Sequence, residues 1–343
     1  MLPPGGAADV RALRRDGSTI TLVKDAPEPT PRPGEALVRP LRFAVSSMDV
    51  EIARGLAAYE GVLGQEFVGV VERIEPAGGG ADERAASLKG ARVVGSPWCA
   101  CGECHDCRRG LSGHCKHATM LGVRGRDGCF ADAFVIPARN LVAVPEQVDD
   151  DRAVFAWLLA GAIHTAQQVR IEGKPYITVL GDGRLGLLTA QIMARLNASV
   201  RVVGLHEDKL ARCEKWRLKH RLVRDVGERA DQDIVVDCTG TRDGFELAMR
   251  YVRPKGVILM NSRLSHLNAA GAPERPLDLR PIVEHEITVS GSRGGSVAEA
   301  LGFLRSDVVD VVSLITRRMR LDDGPEAVRA AEQPEQICVL VDP

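Results

Sequence analysis

The run Ile177-Thr-Val-Leu-Gly-Asp-Gly-Arg-Leu-Gly186 decides how the second half of this 343-residue chain folds. Its first four residues predict a buried strand, and the apolar stripe over residues 184–197 predicts a helix. The spacing Gly-x-Gly-x-x-Gly between them is typical of a loop that binds a dinucleotide. Gly181 permits the tight turn, Gly183 lets a pyrophosphate approach the backbone, and Gly186 lets the helix pack close to the strand. The alternative is a glycine turn that binds nothing.

The chain on either side of this run predicts two domains. Further apolar runs, spaced so that helices fit between them, lie at 200–203, 234–237 and 257–260. This alternation predicts a parallel, doubly wound sheet of the α/β class. Residues 1–150 instead carry short β-type runs separated by Pro and Gly, which predicts a β-rich, barrel-like lobe. Residues 295–343 are expected to pack on that lobe, so that 151–294 form the second domain.

Composition and charge exclude several classes of protein. The chain is 45% hydrophobic and 27% charged, which is ordinary for globular proteins. Its net charge is -1, so no global basic field exists to hold nucleic acid or an anionic membrane. The N-terminus lacks the basic and apolar regions of a signal peptide, and no apolar stretch approaches the ~20 residues of a membrane span. We therefore expect a cytoplasmic protein whose partner is a small-molecule substrate.

A cluster of cysteines predicts a metal site in the first lobe. Cys101-Gly-Glu-Cys104-His-Asp-Cys107 is followed by Cys115. Four thiolates can close a tetrahedron around Zn²⁺ and leave no open position for a substrate, so this zinc would be structural. The nine cysteines make an awkward disulfide set, because their number is odd and several lie close together. The alternative is a reduced thiol cluster without metal.

The strand after the glycine-loop helix bears on the choice of cofactor. It ends Val202-Val-Gly-Leu-His206, and an NAD-preferring site usually places an acidic residue here to hold the ribose 2′-hydroxyl. Gly204 would instead leave room for the 2′-phosphate of NADP, and His206 and Lys209 offer donor or positive groups. The sequence therefore favours NADP(H). NAD(H) stays possible, because the acidic pair 207–208 could take the ribose.

Taken together, these motifs resemble the medium-chain dehydrogenase/reductase family of zinc-containing alcohol and polyol dehydrogenases. The runs that carry the resemblance are Pro31–Glu35, Gly64–Val71, the cysteine loop, Asp127–Ala131, Gly181–Gly186, Asp237–Gly240 and Gly291–Arg293. It implies a GroES-like catalytic lobe made from both chain ends, with a Rossmann nucleotide lobe inserted between them. It also implies that Arg184, Leu185, Thr239 and Arg293 contact the cofactor. A homodimer or homotetramer would form through the nucleotide lobe, near residues 287–291.

Three positions depart from the catalytic metal site of that family. Members that oxidise alcohols usually hold a catalytic zinc with a Cys from Cys-x-Thr-Asp, a His from Gly-His-Glu, and a third Cys or Glu. Ser46, Gln65 and Trp157 stand at these places, and Met48 replaces the threonine that relays protons. A hydroxyl, an amide and an indole cannot supply the ligands that zinc needs, so we expect no catalytic Zn²⁺.

A reductase that works without catalytic zinc is the function these residues favour. Hydride transfer to a conjugated C=C, a quinone or an iminium ion needs positioning and donors aimed at the developing negative charge. The candidate catalytic residues are Ser46, Ser47, Gln65, Trp157 and, for protonation of the product, Tyr59. Two alternatives stay open. One is an inactive nucleotide-binding pseudoenzyme, and the other is an alcohol dehydrogenase whose metal has moved to carboxylates such as Asp49 and Glu66.

Overall fold

The computed structural model describes residues 9–77, 86–227, 229–262 and 276–343. The strands in this part of the chain are β1 (Asp9–Asp16), β2 (Thr19–Pro27), β3 (Glu35–Ala44), β4 (Gly61–Val62), β5 (Glu66–Ile74), β6 (Arg92–Gly95), β7 (Trp98–Cys99), β8 (Thr119–Met120), β9 (Phe134–Pro137), β10 (Leu141–Ala143), β11 (Tyr176–Leu180), β12 (Ser199–Gly204), β13 (Lys219–Leu222), β14 (Gln232–Asp237), β15 (Val252–Met260), β16 (Thr288–Gly291), β17 (Ile315–Arg320) and β18 (Cys338–Asp342).

Most of the α-helices in this part of the chain are short. They are α1 (Ser47–Ala53), α2 (His105–Arg108), α3 (Asp150–Ala153), α4 (Ala156–Ala166), α5 (Arg184–Met193), α6 (Glu207–Leu210), α7 (Arg212–Lys215), α8 (Arg242–Tyr251), α9 (Arg280–Glu284), α10 (Val297–Arg305) and α11 (Gly324–Ala331). Over the described residues, no helix combines the length and the hydrophobicity that crossing a membrane requires.

Two compact units make up the chain. One runs to Trp157 and adds Val297–Asp307 and Ile315–Pro343, and the other comprises Leu158–Ser296 with Val308–Leu314. The first boundary therefore lies later than residue 150, and part of the C-terminal segment joins the second unit.

Ion pairs give a physical reason for the later boundary. Arg92 pairs with Asp150 at 2.9 Å, and Arg42 pairs with Asp151. Both carboxylates lie on α3, which begins at residue 150 and ends at residue 153. These contacts tie α3 to β6 and β3 of the first unit, so the chain leaves this unit only after α3.

The first unit is built on a seven-stranded sheet. Its strand order is β10-β6-β5-β3-β18-β17, and β9 also pairs with β3. A three-stranded sheet, β2-β1-β4, and the pair β7-β8 accompany it. Two edge-to-face ring pairs lie in its core, with ring centroids 5.2 Å apart for Phe43 and Phe130 and 4.6 Å apart for Phe67 and Phe134. Because β18 pairs with β3, the end of the chain completes the sheet of this unit.

The second unit is a six-stranded parallel sheet of order β13-β12-β11-β14-β15-β16. Counted from β11, this order is 3-2-1-4-5-6, which is the doubly wound arrangement of dinucleotide-binding proteins. The predicted α/β fold, a GroES-like lobe with a Rossmann lobe, is therefore confirmed. Ligands of such sheets bind at the carboxyl ends of the strands, where the order reverses. One edge strand of this sheet is β16, and the pairing of subunits near it stays a prediction.

Candidate functional site

The glycine loop turns from β11 into α5 at the carboxyl edge of the parallel sheet. Gly181 has a φ of 110°, a backbone conformation that residues with a side chain rarely adopt. A Cβ on Gly186 would lie 2.0 Å from the carbonyl oxygen of Gly181, so α5 approaches the turn as only a glycine allows. Gly183 differs, because no atom lies within 4 Å of where its Cβ would be. This open space and the uncapped first turn of α5 fit a pyrophosphate.

Two buried polar atoms at the same edge add to this fit. Asn261 Nδ2 and Ser262 Oγ follow β15 directly, and within the described residues neither has a hydrogen-bond partner. Asn261 does face the thiol of Cys238, which is only a weak acceptor. An unsatisfied buried polar group costs about 1–3 kcal/mol, so a polar ligand at this edge would be favoured. Neither residue was predicted from sequence, because no motif includes them.

The other predicted cofactor residues lie at this edge as well. Arg184 and Leu185 begin α5, and Arg293 is exposed just after β16. Thr239 follows β14, and both its backbone N–H and its hydroxyl donate to Asp237, at 2.9 and 2.7 Å. Burial raises the pKa of that carboxyl. Thr239 therefore fixes the end of β14, while its hydroxyl hydrogen is already in use.

The end of β12 differs from the prediction. The carboxylate of Asp182, in the middle of the glycine loop, accepts hydrogen bonds from the backbone N–H groups of Leu205 and His206, at 2.7 and 2.6 Å. A Cβ on Gly204 would lie 2.5 Å from Asp182 Oδ2. Gly204 therefore makes room for Asp182, and the space predicted for a 2′-phosphate is filled by a carboxylate. Lys209, which was predicted to offer a positive group beside Gly204, is buried, with 6% of its surface exposed.

In the first unit, Ser46 and Gln65 are brought together around Asp49. The Ser46 hydroxyl donates to Asp49 Oδ2 at 2.6 Å, and it accepts from Gln65 Nε2 at 2.7 Å and from the Asp49 backbone N–H at 3.2 Å. A hydroxyl has one hydrogen and two lone pairs, so this hydroxyl is fully used. This geometry counts against Ser46 as a donor to a substrate, because its hydrogen is directed to Asp49.

Asp49 is the centre of this network. Its carboxylate is fully buried, and it also accepts from the backbone N–H groups of Ser46 and Gly64, at 2.8 and 3.0 Å. These bonds cap α1 at Ser46, the residue before the helix begins, and hold the turn before β5. A metal at Asp49 would have to displace them. Over the described residues, the cysteine cluster is the one place where three or more His, Cys, Asp or Glu ligand atoms converge, which disfavours a metal relocated to Asp49 and Glu66.

The remaining predicted catalytic residues do not join this network. The Tyr59 hydroxyl lies 3.0 Å from two acceptors, the backbone carbonyls of Val62 and Arg126. Burial raises the pKa of Tyr59, so the geometry counts against Tyr59 as the group that protonates a product. Ser47 is exposed on the first turn of α1, and Trp157 is half-buried near the start of α4. Both remain candidate donors.

The four cysteines of the predicted metal site do converge. Their sulfur atoms all lie within 4.8 Å of one another. Individual Sγ–Sγ distances are 3.5 Å for Cys101 and Cys115, 3.8 Å for Cys104 and Cys115, and 3.9 Å for Cys101 and Cys107. Tetrahedral Zn–S bonds of about 2.3 Å would place the sulfurs about 3.8 Å apart, so the donor set fits Zn²⁺.

Backbone groups favour the thiolate form within this cluster. Hydrogen bonds from the backbone N–H groups of Glu103 and Cys104 lower the pKa of Cys101 to about 6. The thiolate is the form that binds metal, so these backbone groups favour metal binding by Cys101, whereas desolvation raises the pKa of Cys107.

Comparison with known proteins agrees with the fold described above. A sequence model of the alcohol dehydrogenase GroES-like domain matches residues 32–146. An L-threonine 3-dehydrogenase of Streptomyces avermitilis is 30% identical over 339 residues, which cover 93% of this chain and 94% of the relative.

Two solved structures show the same fold. One is a zinc-binding dehydrogenase of Sinorhizobium meliloti 1021 bound to NADP, with a TM-score of 0.84 and 23% identity over 98% of this chain and 100% of the other. The second is an alcohol dehydrogenase of Escherichia coli CFT073 complexed with NADH, with a TM-score of 0.84 and 20% identity over the same shares. At 23% and 20% sequence identity, these two structures are evidence for the fold alone.

The fold thus defines an α/β protein with a Rossmann sheet and a GroES-like unit. The chain belongs to the alcohol dehydrogenase-like medium-chain dehydrogenase/reductase family, a family of oxidoreductases. The resemblance seen in the sequence is therefore confirmed.

Replacement of Cys104 by Ser tests the metal site. We expect Cys104→Ser to lose most of the bound zinc and to lower the melting temperature, because the binding energy of a structural zinc is coupled to folding. Zinc content by mass spectrometry and melting by calorimetry measure the two effects. His105→Ala is the matched control, since His105 lies on the same loop with 78% of its side chain exposed. Equal zinc content in Cys104→Ser and the native chain would show that the site is misassigned.

Replacement of Asp49 by Asn tests the buried network. Asn carries no charge and has one acceptor oxygen in place of two, so Asp49→Asn should lower the free energy of unfolding by about 2 kcal/mol or more. Urea denaturation measures this. Asp16→Asn is the control, because Asp16 is 60% exposed and pairs with Arg14 at the surface, where a loss of about 0.5 kcal/mol or less is expected. Similar small losses in both variants would contradict the role given to Asp49.

Proposed function

We propose that this chain is a nicotinamide-dependent oxidoreductase that transfers hydride without a catalytic zinc. The observation that carries the proposal is the closed network of Ser46, Asp49 and Gln65. Two of the positions that resemble the family's zinc ligands are used in hydrogen bonds within the protein. The third holds the indole of Trp157, which is no ligand for zinc.

The second unit supports the nucleotide part of the proposal. Open space at Gly183 and the uncapped start of α5 suit a pyrophosphate, and Asn261 and Ser262 offer polar groups at the same sheet edge. A reduced nicotinamide bound at this edge supplies the hydride. The proposal covers both NAD(H) and NADP(H), because the space that favoured NADP(H) in the sequence is filled by Asp182.

The proposed class of hydride acceptor follows from the lack of zinc ligands at positions 46, 65 and 157. A catalytic metal stabilises an alkoxide by several kcal/mol, and each 1.4 kcal/mol is a tenfold factor in rate. Without such a group, oxidation of simple alcohols should be slow. A conjugated C=C, a quinone or an iminium ion is already electrophilic and needs only hydrogen-bond donors for the developing charge. The Streptomyces relative is named for L-threonine, so the acceptor class proposed here depends on the replaced side chains rather than on that relative.

Gln65 is the buried side chain that best suits the donor role. One Nε2 hydrogen goes to Ser46, and the amide carries a second one. Only 4% of the Gln65 surface is exposed, so the amide is held in a single environment. Asp49 fixes Ser46, and Ser46 in turn positions the amide. Ser47 and Trp157 are the other groups that could donate.

The same network also favours a second candidate function, a nucleotide-binding pseudoenzyme. Ser46 and Tyr59 already use their hydroxyl hydrogens within the protein, which leaves fewer donors for a substrate. Such a chain would bind NAD(P)H and transfer no hydride.

Turnover separates these functions. We expect the purified protein to oxidise NADH or NADPH with some of a panel of enones, quinones and iminium ions, and to leave ethanol and polyols unoxidised. Gln65→Leu should lower kcat by about 10²-fold, as removal of an oxyanion donor does, while the Kd of the nucleotide stays unchanged. Gln147→Leu is the matched control and should keep the native kcat, because Gln147 is exposed in the loop before α3.

Three results would count against this assignment. No turnover over the whole panel, with NADH or NADPH still bound, would favour the pseudoenzyme. Oxidation of alcohols that a chelator abolishes would show a catalytic metal elsewhere in the site. An unchanged kcat in Gln65→Leu would remove Gln65 from the donor role.

A further inference from the structure

Asp182 belongs to the glycine loop by sequence, but its carboxylate is attached to the neighbouring strand. Its Oδ2 accepts from the backbone N–H groups of Leu205 and His206, and Nδ1 of the His206 ring lies 3.2 Å from Oδ1 and 3.1 Å from Oδ2. Asp182 is 7% exposed. Two backbone donors and one ring nitrogen therefore hold this carboxylate in a single place.

That place has a known meaning in dinucleotide-binding sheets. The acidic residue that holds the ribose 2′-hydroxyl usually stands at the end of the second strand, which is β12 in this chain. Residue 204 lacks a side chain there, and a Cβ would lie within 2.5–2.7 Å of three Asp182 side-chain atoms. The carboxylate at the end of β12 therefore comes from the glycine loop after β11 and not from β12 itself.

We infer that Asp182 selects NAD(H) against NADP(H) by holding the ribose 2′-hydroxyl at the end of β12 and repelling a 2′-phosphate. This inference rests on the proposed function, since it needs a nicotinamide dinucleotide at the sheet edge. Oδ1 accepts no backbone hydrogen bond, so it retains a lone pair for a hydroxyl. A 2′-phosphate has no hydrogen to offer in exchange and carries a charge of about -1.5 to -2.

The two exposed charged side chains that follow His206 bring negative charge next to Asp182. The His206 ring already faces the carboxylate, and Lys209 is buried. Glu207 and Asp208, the next two residues, are exposed and add negative charge. Leu205 between Gly204 and His206 is 71% exposed, and an apolar side chain at this point suits the adenine ring next to the ribose.

Binding measurements on the whole purified chain test the inference without relying on turnover. Titration calorimetry with NADH and with NADPH should give a Kd at least tenfold lower for NADH. In Asp182→Asn the charge is lost while the shape is kept, so NADPH should bind at least tenfold more tightly than in the native chain and the preference should largely disappear. Glu207→Gln and Asp208→Asn are the matched controls, and each should keep the native ratio.

Competition binding to the native chain is a second test, and it does not depend on the folding of any variant. ADP-ribose should displace NADH, and 2′-phospho-ADP-ribose should do so at least tenfold less well. Equal or stronger binding of the phosphorylated ligands would overturn the inference. It would also be overturned if Asp182→Asn had the native melting temperature and the native ratio of the Kd values for NADPH and NADH. A ratio that collapses in Glu207→Gln instead would give the role to Glu207. Binding of neither nucleotide would overturn the proposed function, and this inference with it.

Discussion

The functional part of the first unit depends on one buried carboxylate, that of Asp49. A buried charge is tolerated only when hydrogen bonds or an opposite charge compensate for the loss of water. Here the backbone N–H groups of Ser46 and Gly64 and the hydroxyl of Ser46 do so. They fix the start of α1 and the turn before β5, and they place the amide of Gln65. Asp49 stands where the family places a residue next to a metal ligand, and here it is the centre of a hydrogen-bond network.

Asp182 in the second unit follows the same physical rule with a different result. Backbone N–H groups again hold a carboxylate, but this one stands at the end of β12, the place where dinucleotide-binding sheets contact the ribose of the cofactor. Only a glycine fits at residue 204, because a Cβ there would collide with the side chain of Asp182. The Asp182 carboxylate fills the space that the missing side chain leaves. In both units, the partners of a carboxylate decide its role, and the residue type alone does not.

Short-range features of the fold and the site were predictable from sequence, and long-range contacts were not. The glycine loop, the parallel sheet and the cysteine cluster each depend on residues close in the chain, so spacing and periodicity reveal them. The bond from Asp182 to Leu205 joins residues of two different strand ends, and the bond from Gln65 to Ser46 joins a turn to a helix start. Tyr59 looks like a free loop residue until its carbonyl partners are seen. No local pattern encodes such contacts.

The zinc content of the native chain is the most direct test of hydride transfer without a catalytic metal. Inductively coupled plasma mass spectrometry, set against protein concentration, should give about one zinc per chain, because a closed Cys₄ site holds a single ion. Cys101, Cys104, Cys107 and Cys115 are where such ligands converge in the described part of the chain. A value near two in active protein would contradict the claim, since a second zinc would then be bound outside the Cys₄ site.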